Sequence, residues 1–291
     1  MSGVEQYLIS LDKFAVVKEL GKSSFGFVLL VEDKETKQKY AAKVITDENE
    51  ETRKKALKEI ELIGQLHHQT IVNFTGYSPV DFEGKEHITI ITEFQSNGDL
   101  HQAIKENKLD NTKRQIMFVG ICRALLYLHS NNFIHRDVKP FNVLIDDKFH
   151  PHLTDFFLMT KCTLGEENEA CIGTPLYMAP EMYETGNYDC SADIYSFAIT
   201  MIEIIQGKVE LNHKIRSAQQ FMVHIAKGER PIINTEIKKS IRDLIEQCWS
   251  AKSSDRLTAE QLFQKLAYDP DYYLDGVNAE EVKSYADSIK Q

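Results

Sequence analysis

Ile134-His135-Arg136-Asp137-Val138-Lys139-Pro140-Phe141-Asn142 is the stretch on which the reading of this chain turns. It sets an acid, a cation and an amide within a few residues, just after a helical run that ends at Leu128-His129. An apolar, strand-like run, Asn142-Val143-Leu144-Ile145, follows directly. Such a cluster suits chemistry in which a hydroxyl is oriented, a phosphate neutralised and a metal held. A solvated loop with an incidental group of charges is the competing interpretation. The flanking segments decide between the two.

Upstream, Phe14 to Leu20 is β-rich and ends at Gly21, and Val28 to Val31 reads as a second strand. Gly21-Lys22-Ser23-Ser24-Phe25-Gly26-Phe27-Val28 between them predicts a tight turn whose amides could approach phosphates closely. An ordinary hairpin with glycines at positive φ explains the same residues. Lys39 to Ile45 is a third strand, with Lys43 on one face beside the apolar Ala41 and Ile45. A lysine there is costly unless paired, so a carboxylate or phosphate partner is expected. Glu59, on a helix predicted over 50–66, is the partner the pattern favours. An exposed pair of Lys55 with Glu59 one turn apart is the plainer alternative. Strands over Ile71–Tyr77 and His87–Phe94 complete a small α+β unit of five strands and one helix. Gln95 to Asp99 is polar and turn-rich, the natural boundary.

Beyond that boundary the chain turns helical, at 99–107 and 112–129, before the opening stretch. After it come His152-Leu153-Thr154-Asp155-Phe156-Phe157, an irregular acidic segment over 158–172 with Glu166, Glu167 and Glu169, and Gly173 to Glu181. A loop of that length in a compact domain is usually functional or mobile. Helices are predicted at 191–206 (almost wholly apolar, hence buried), 218–227, 236–249 and 258–266. A last amphipathic helix, 278–290, has Val282, Tyr285 and Ile289 on one side and is expected to pack on the helical part.

At 291 residues the chain exceeds the usual single-core size, so two domains or two lobes sharing a cleft are expected. A net charge of −10 argues against a generic nucleic-acid or anionic-membrane binder, which needs a basic face. The five cysteines show no C-x-x-C pair and are odd in number, so neither a disulfide framework nor a zinc site is expected. Neither a secretory leader nor a membrane span is read from the sequence, and a reducing, cytoplasmic setting is expected.

Taken together, the order of these features resembles the eukaryotic protein kinase domain over roughly Phe14 to Ala267. Thr92 to Leu100 and the ending Cys248-Trp249…Asp255-Arg256-Leu257-Thr258 look most like the tyrosine-kinase-like group. Lys139, two residues after Asp137, and Gly173-Thr174-Pro175 before Tyr177 are similar to serine/threonine-specific members. The resemblance implies a bilobal α+β fold, with an N-lobe at 1–94, a hinge at 95–98, a C-lobe at 99–270 and a helical C-terminal extension at 271–291. It implies transfer of the γ-phosphate of ATP, with Mg²⁺, to a protein substrate. Lys43 would hold the α/β-phosphates and Glu59 would orient it. Asp137 would orient the substrate hydroxyl, Lys139 would stabilise the γ-phosphate, and Asn142 and Asp155 would ligate Mg²⁺. Gly21, Ser23, Gly26 and Val28 would cover the nucleotide; Val28, Ala41 and Leu144 would sandwich adenine. Glu93 and Gln95 would offer it backbone groups, Thr92 would limit the back of its pocket, and Asp99 could meet the ribose. Asp193 would hold the backbone of the catalytic loop, and Glu181 with Arg256 would form a buried ion pair. The resemblance leaves the oligomeric state unassigned.

Two positions depart from the family pattern. Ser23 stands for the middle glycine of the phosphate loop, and Phe157 for the glycine after Asp155-Phe156. If the left-handed region were required at 157, a phenylalanine would cost about 1–2 kcal/mol there. Arg136 implies a cationic pocket that a loop phosphate neutralises, with Thr160 and Thr163 as acceptors or Glu169 as a built-in substitute. Thr174 is expected to bond Asp137 and Lys139 instead. A nucleotide-binding pseudokinase scaffold is the alternative from another class. Retention of Lys43, Glu59, Asp137, Lys139, Asn142 and Asp155 speaks against it. A lipid or small-molecule kinase is weakened by Gly173 to Glu181, which resembles a peptide-docking platform.

Overall fold

The computed structural model describes residues 3–23, 25–162, 171–211 and 217–290. The chain forms two compact units, one of Met1–Ser96 with Asp155–Phe157, the other of Asn97–Thr154 with Leu158–Gln291. A single cut in the sequence cannot reproduce this division, because the short Asp155–Phe157 segment joins the first unit.

In the first unit β1 (Phe14–Ser23), β2 (Gly26–Asp33), β3 (Lys39–Ile45), β4 (Phe74–Ser78) and β5 (Thr89–Glu93) form an antiparallel sheet. Its spatial order is β1-β2-β3-β5-β4. Strand alternation sends Val31, Ala42 and Ile91 to one face, where with Phe14 they form a buried core. The other face presents Val28 opposite Lys43, Leu30 opposite Ala41, and Thr92 opposite Ala41 on the next strand. The turn between β1 and β2 is shorter than the sequence suggests, because Gly21 pairs with Val28 and Ser23 with Gly26 inside the ladder.

The helix α1 (Glu50–Ile63) starts where Asn49 accepts a hydrogen bond from Glu51 N, with Glu50 and Glu51 favourably placed at the positive helix end. The predicted strand at 71–77 begins only at Phe74. An N-terminal strap was not foreseen. Leu8 bridges to Tyr77, Ile9 N donates to Tyr77 O at 2.9 Å, and the Tyr7 ring meets Phe74 edge-on, centroids 5.5 Å apart.

The second unit is helical: α2 (Leu100–Lys105), α3 (Asn111–Ser130), α4 (Pro180–Glu184), α5 (Ser191–Gln206), α6 (Ala218–Ala226), α7 (Lys239–Cys248), α8 (Ala259–Tyr268) and α9 (Ala279–Ser288). Short two-stranded pairs join β6 (Phe133–Ile134) to β9 (Thr160–Lys161) and β7 (Val143–Ile145) to β8 (Pro151–Leu153). The apolar helices α3 and α5 are mostly buried, and α8 and α9 pack on α3. Val282, Tyr285 and Ile289 are buried, so the tail helix packs on the helical unit, as its pattern predicts. Arg123 Nε fixes its end by donating to Ile289 O at 2.9 Å. None of the helices among the described residues is long and apolar enough to cross a membrane.

Candidate active site

In the second unit the opening stretch is built around a buried carboxylate. Asp193, in the first turn of α5 and fully buried, accepts from His135 N, Arg136 N and His129 Nε2, each at 2.9 Å. Two backbone donors on one carboxylate fix the loop's path, including the left-handed φ of +69° at Arg136. Burial alone would raise the Asp193 carboxyl's pKa. The His129 hydrogen bond, the charges of His129 and His135 and the His135 amide more than offset it and hold the group below the ordinary carboxylate range. The expected role of Asp193 as the holder of this loop is therefore present in the geometry. His129, its third partner, was not singled out from the sequence, where a histidine ending an apolar helix gives no distinguishing signal.

The held loop forms a closed network. Asp137 Oδ1 accepts from Thr174 Oγ1 at 2.7 Å, and its Oδ2 accepts from Lys139 Nζ at 2.6 Å and Asn142 Nδ2 at 2.9 Å. Lys139 Nζ also donates to Thr174 Oγ1 at 2.6 Å, and Asn142 Nδ2 to Asp137 O at 2.8 Å. Thr174 thus bonds both Asp137 and Lys139, as expected. Gly173 makes the approach possible: a Cβ there would stand 2.7 Å from Arg136 O, at a φ of +123°. The Glu181–Arg256 ion pair is also formed, with Nη2 to Oε2 at 2.9 Å and the arginine fully buried. Leu144 forms an isolated bridge with Asp99. Asp99 itself caps α2, accepting from Gln102 N at 2.8 Å, a structural task the sequence reading did not assign it.

The first unit gathers the other candidate residues. Lys43 Nζ lies 2.8 Å from Asp155 Oδ1 and 3.4 Å from Glu59 Oε2. Glu59 therefore serves Lys43. Lys55 takes Glu51 instead, at 2.8 Å. Burial disfavours the Lys43 charge, but the Asp155 and Glu59 carboxylates outweigh it and push its pKa well up, so it stays an ammonium. One cation facing two carboxylates leaves the cluster negative. Glu59, 4% exposed, bears the consequence: burial first, then the Asp155 charge, raise its pKa against the pull of Lys43.

Gly26 is a glycine for steric reasons. A Cβ there would stand 1.9 Å from Val44 O, so the strand pair would have to open. Gly21 has open space around it, and neither glycine takes a positive φ, which removes the hairpin-turn explanation for both. The Ser23 hydroxyl is buried without a hydrogen-bond partner among the described residues. Glu93 N donates to Asn73 O at 3.0 Å and its Oε1 accepts from Asn73 N at 2.9 Å, while the Gln95 side chain is buried.

Phe157 corrects an expectation. The left-handed residue of the Asp155-Phe156-Phe157 segment is Asp155, with φ of +61°, and Phe157 keeps an ordinary negative φ. Phenylalanine therefore bears no left-handed penalty here. Its ring is buried and stacks on Phe25, with centroids 4.3 Å apart. Phe25 was missed, since an aromatic at the tip of a turn reads as an exposed side chain.

Arg136 is buried, its Nε donating to Leu158 O and its Nη1 to Tyr188 Oη at 3.3 Å. Among the described residues it has no carboxylate partner. Thr160 lies in β9, opposite Ile134. Thr163, Glu166, Glu167 and Glu169 fall outside the described residues.

With this geometry in place, comparison with known proteins identifies the family. The model of the protein kinase domain matches residues 14–266. The chain belongs to the protein kinase domain family. It is 29% identical over 251 residues to serine/threonine-protein kinase 32C of Mus musculus, which covers 81% of this chain and 50% of that one. It is 31% identical over 257 residues to MAP3K epsilon protein kinase 1 of Arabidopsis thaliana, 86% of this chain and 18% of that one. With serine/threonine-protein kinase Aurora-1 of Arabidopsis thaliana it shares 29% identity over 262 residues, 88% and 86% of the two chains. The chain thus spans half the length of the first of these relatives and less than a fifth of the second. The α+β architecture of the two units is that of the kinase domain.

Proposed function

We propose that this chain is an ATP-dependent protein kinase that transfers the γ-phosphate to serine or threonine hydroxyls of a protein substrate. The observation that carries it is the Asp137–Lys139–Thr174–Asn142 network, in which an acid, a cation and an amide are held in one arrangement by buried Asp193. A folding scaffold has no need of such a constellation. The Lys139–Thr174 contact and the names of the relatives support the serine/threonine reading. The tyrosine-kinase-like group is the subgroup proposed, on the residues Thr92 to Leu100 and Cys248 to Thr258. The five free thiols support a reducing, cytoplasmic setting.

Phosphoryl transfer asks for positioning and charge neutralisation more than covalent help. Lys43, fixed as an ammonium by two carboxylates, neutralises the α/β-phosphates. Glu59 keeps it extended along the sheet face that also presents Val28 and Ala41 to the adenine. Gly21, Ser23 and Gly26 bring backbone over the phosphates. Glu93 and Gln95 hold the purine edge, and Asp99 beside Leu144 meets the ribose.

Asp137 orients the acceptor hydroxyl and takes its proton as the hydroxyl oxygen bonds to the γ-phosphorus and the bond from that phosphorus to the bridging oxygen breaks, releasing ADP. Lys139, bridging Asp137 and Thr174, offsets the charge that develops on the transferred group. Each candidate donor taken by itself suits Mg²⁺, a hard cation that takes oxygen ligands. Asp155 offers a carboxylate, and Asn142, with its Nδ2 turned to Asp137, has an Oδ1 that accepts no hydrogen bond among the described residues. When bound, Mg²⁺ supplies charge neutralisation of the phosphate oxygens.

The test is phosphate incorporation into a generic basic protein from Mg·ATP, followed by identification of the modified residues. Wild type should label serine and threonine, and Asp137→Asn should fall by about 10²–10⁴-fold. Equal labelling by both proteins would end the proposal, as would nucleotide binding without any transfer by the wild type.

A further inference from the structure

Phe157 has no task in the scheme above, although it is the residue at which this chain departs furthest from the family pattern. Its ring is 7% exposed and lies against Phe25, with centroids 4.3 Å apart and planes 25° from parallel. Lys43 Nζ stands 5.4 Å from the centroid of the Phe157 ring, within reach of the attraction between a cation and an aromatic face. Phe25 occupies the turn between β1 and β2, and its backbone is tied as well. Its carbonyl accepts from Thr46 N at 2.9 Å and from Asp47 N at 3.2 Å, just past the end of β3. The turn is therefore held at its carbonyl by the sheet and at its ring by the segment that carries Asp155.

We propose that Phe25 and Phe157 form an aromatic clasp that holds the glycine-bearing turn in its phosphate-binding arrangement before ATP arrives, which makes Phe157 a positioning residue. The inference deepens the kinase reading and rests on it. A turn already held in place does not have to be ordered when nucleotide binds, and that saving appears as affinity. A stacked aromatic pair is worth about 0.5–1.5 kcal/mol beyond its burial, equivalent to about a two- to tenfold change in an equilibrium constant. A glycine at 157 has no ring to offer. The ordinary φ of Phe157 shows that the backbone at this position does not require one.

The plainer explanation is that two phenylalanines bury apolar surface and do nothing for the nucleotide. Leucine separates the two, because it keeps the burial and removes the ring. The experiment compares wild type, F25A, F157L, F157Y and the double variant F25A/F157L in the full chain. It measures KM for ATP, kcat, and hydrogen exchange of the amides of residues 21–28 without nucleotide.

KM should rise about three- to tenfold in F25A and F157L, with a smaller change in kcat, and F157Y should stay near wild type. The double variant should be no worse than the worse single one, because either change alone breaks the stack. The same variants should show faster exchange across the turn. A KM within twofold of wild type in F25A or F157L would overturn the clasp, as would multiplied effects in the double variant. Unchanged exchange would overturn it in any case, because that reading needs no catalysis. A wild type that transfers no phosphate is a separate failure, seen in the wild-type arm, and falls on the kinase reading.

Discussion

The two clusters of candidate residues are built on opposite electrostatic plans. Within the Asp137 network one carboxylate, one ammonium, an amide and a hydroxyl close on one another, and the loop beneath is held by Asp193. Around Lys43 the balance is broken, with one ammonium facing two carboxylates and Glu59 disfavoured in its charged form. A satisfied network is rigid and costs little to keep. An excess of negative charge is a cost that a bound cation removes. The first plan suits a group that must stay in place during transfer, the second a place that gains from a bound cation.

That contrast can be broken most severely at Lys43. Lys43→Met leaves Glu59 buried and Asp155 near it without their cation, and loss of one partner from a buried pair costs about 3–5 kcal/mol. Denaturant titration should show that loss, and initial rates should fall about 10²–10³-fold through lost charge stabilisation. A variant as stable as wild type would mean that the cluster is solvated and that its charges do not oppose one another.

Asp193→Asn should come next, at about 1.5–3 kcal/mol, because it weakens hydrogen bonds made to a charged acceptor. The pH dependence gives the sign. The folded-state pKa of Asp193 lies below its unfolded value, so its contribution is full above about pH 4 and is lost as pH falls through the folded value. The stability gap between wild type and Asp193→Asn should therefore close in acid, which urea unfolding between pH 3 and 7 would measure. A constant gap would refute the assignment.

These two sites also show what could be read from the chain alone. The strands, the long helices and the residues of both clusters follow from periodicity and motif spacing, because alternation and helical period decide which face is buried. Three features did not follow. Gly26 reads as flexibility, yet its reason is the Val44 carbonyl, a contact made only once β2 and β3 pair. The left-handed residue lies at Asp155 and not at Phe157, since tertiary packing chooses where a tight segment places its unusual φ. The strap of residues 4–10 shows no period, and Tyr7 acquires meaning only against Phe74.

Smaller effects sharpen the contrast. Thr174→Val removes the hydroxyl that links Asp137 to Lys139 and should cost about 0.5–1.5 kcal/mol, with kcat lowered up to about tenfold. The same change of rate with the Asp137–Lys139 pair already removed would show that Thr174 acts elsewhere. Glu59→Gln should change stability least, by less than about 1 kcal/mol, because the lost charge is one that burial and Asp155 already disfavour. Its raised folded-state pKa means that ionisation of Glu59 opposes folding as pH rises from the ordinary carboxylate range, and the glutamine should remove that slope. A large loss would show the Lys43–Glu59 attraction to dominate instead.

The central claim is that Asp137 acts in the transfer step and the Lys43 cluster in holding nucleotide. Single-turnover transfer by Asp137→Asn at saturating Mg·ATP, alongside nucleotide titration of the same protein, separates the two most directly. The chemical step should slow by about 10²–10⁴-fold with nucleotide affinity close to wild type. An unchanged chemical step, or a loss confined to nucleotide affinity, would contradict it.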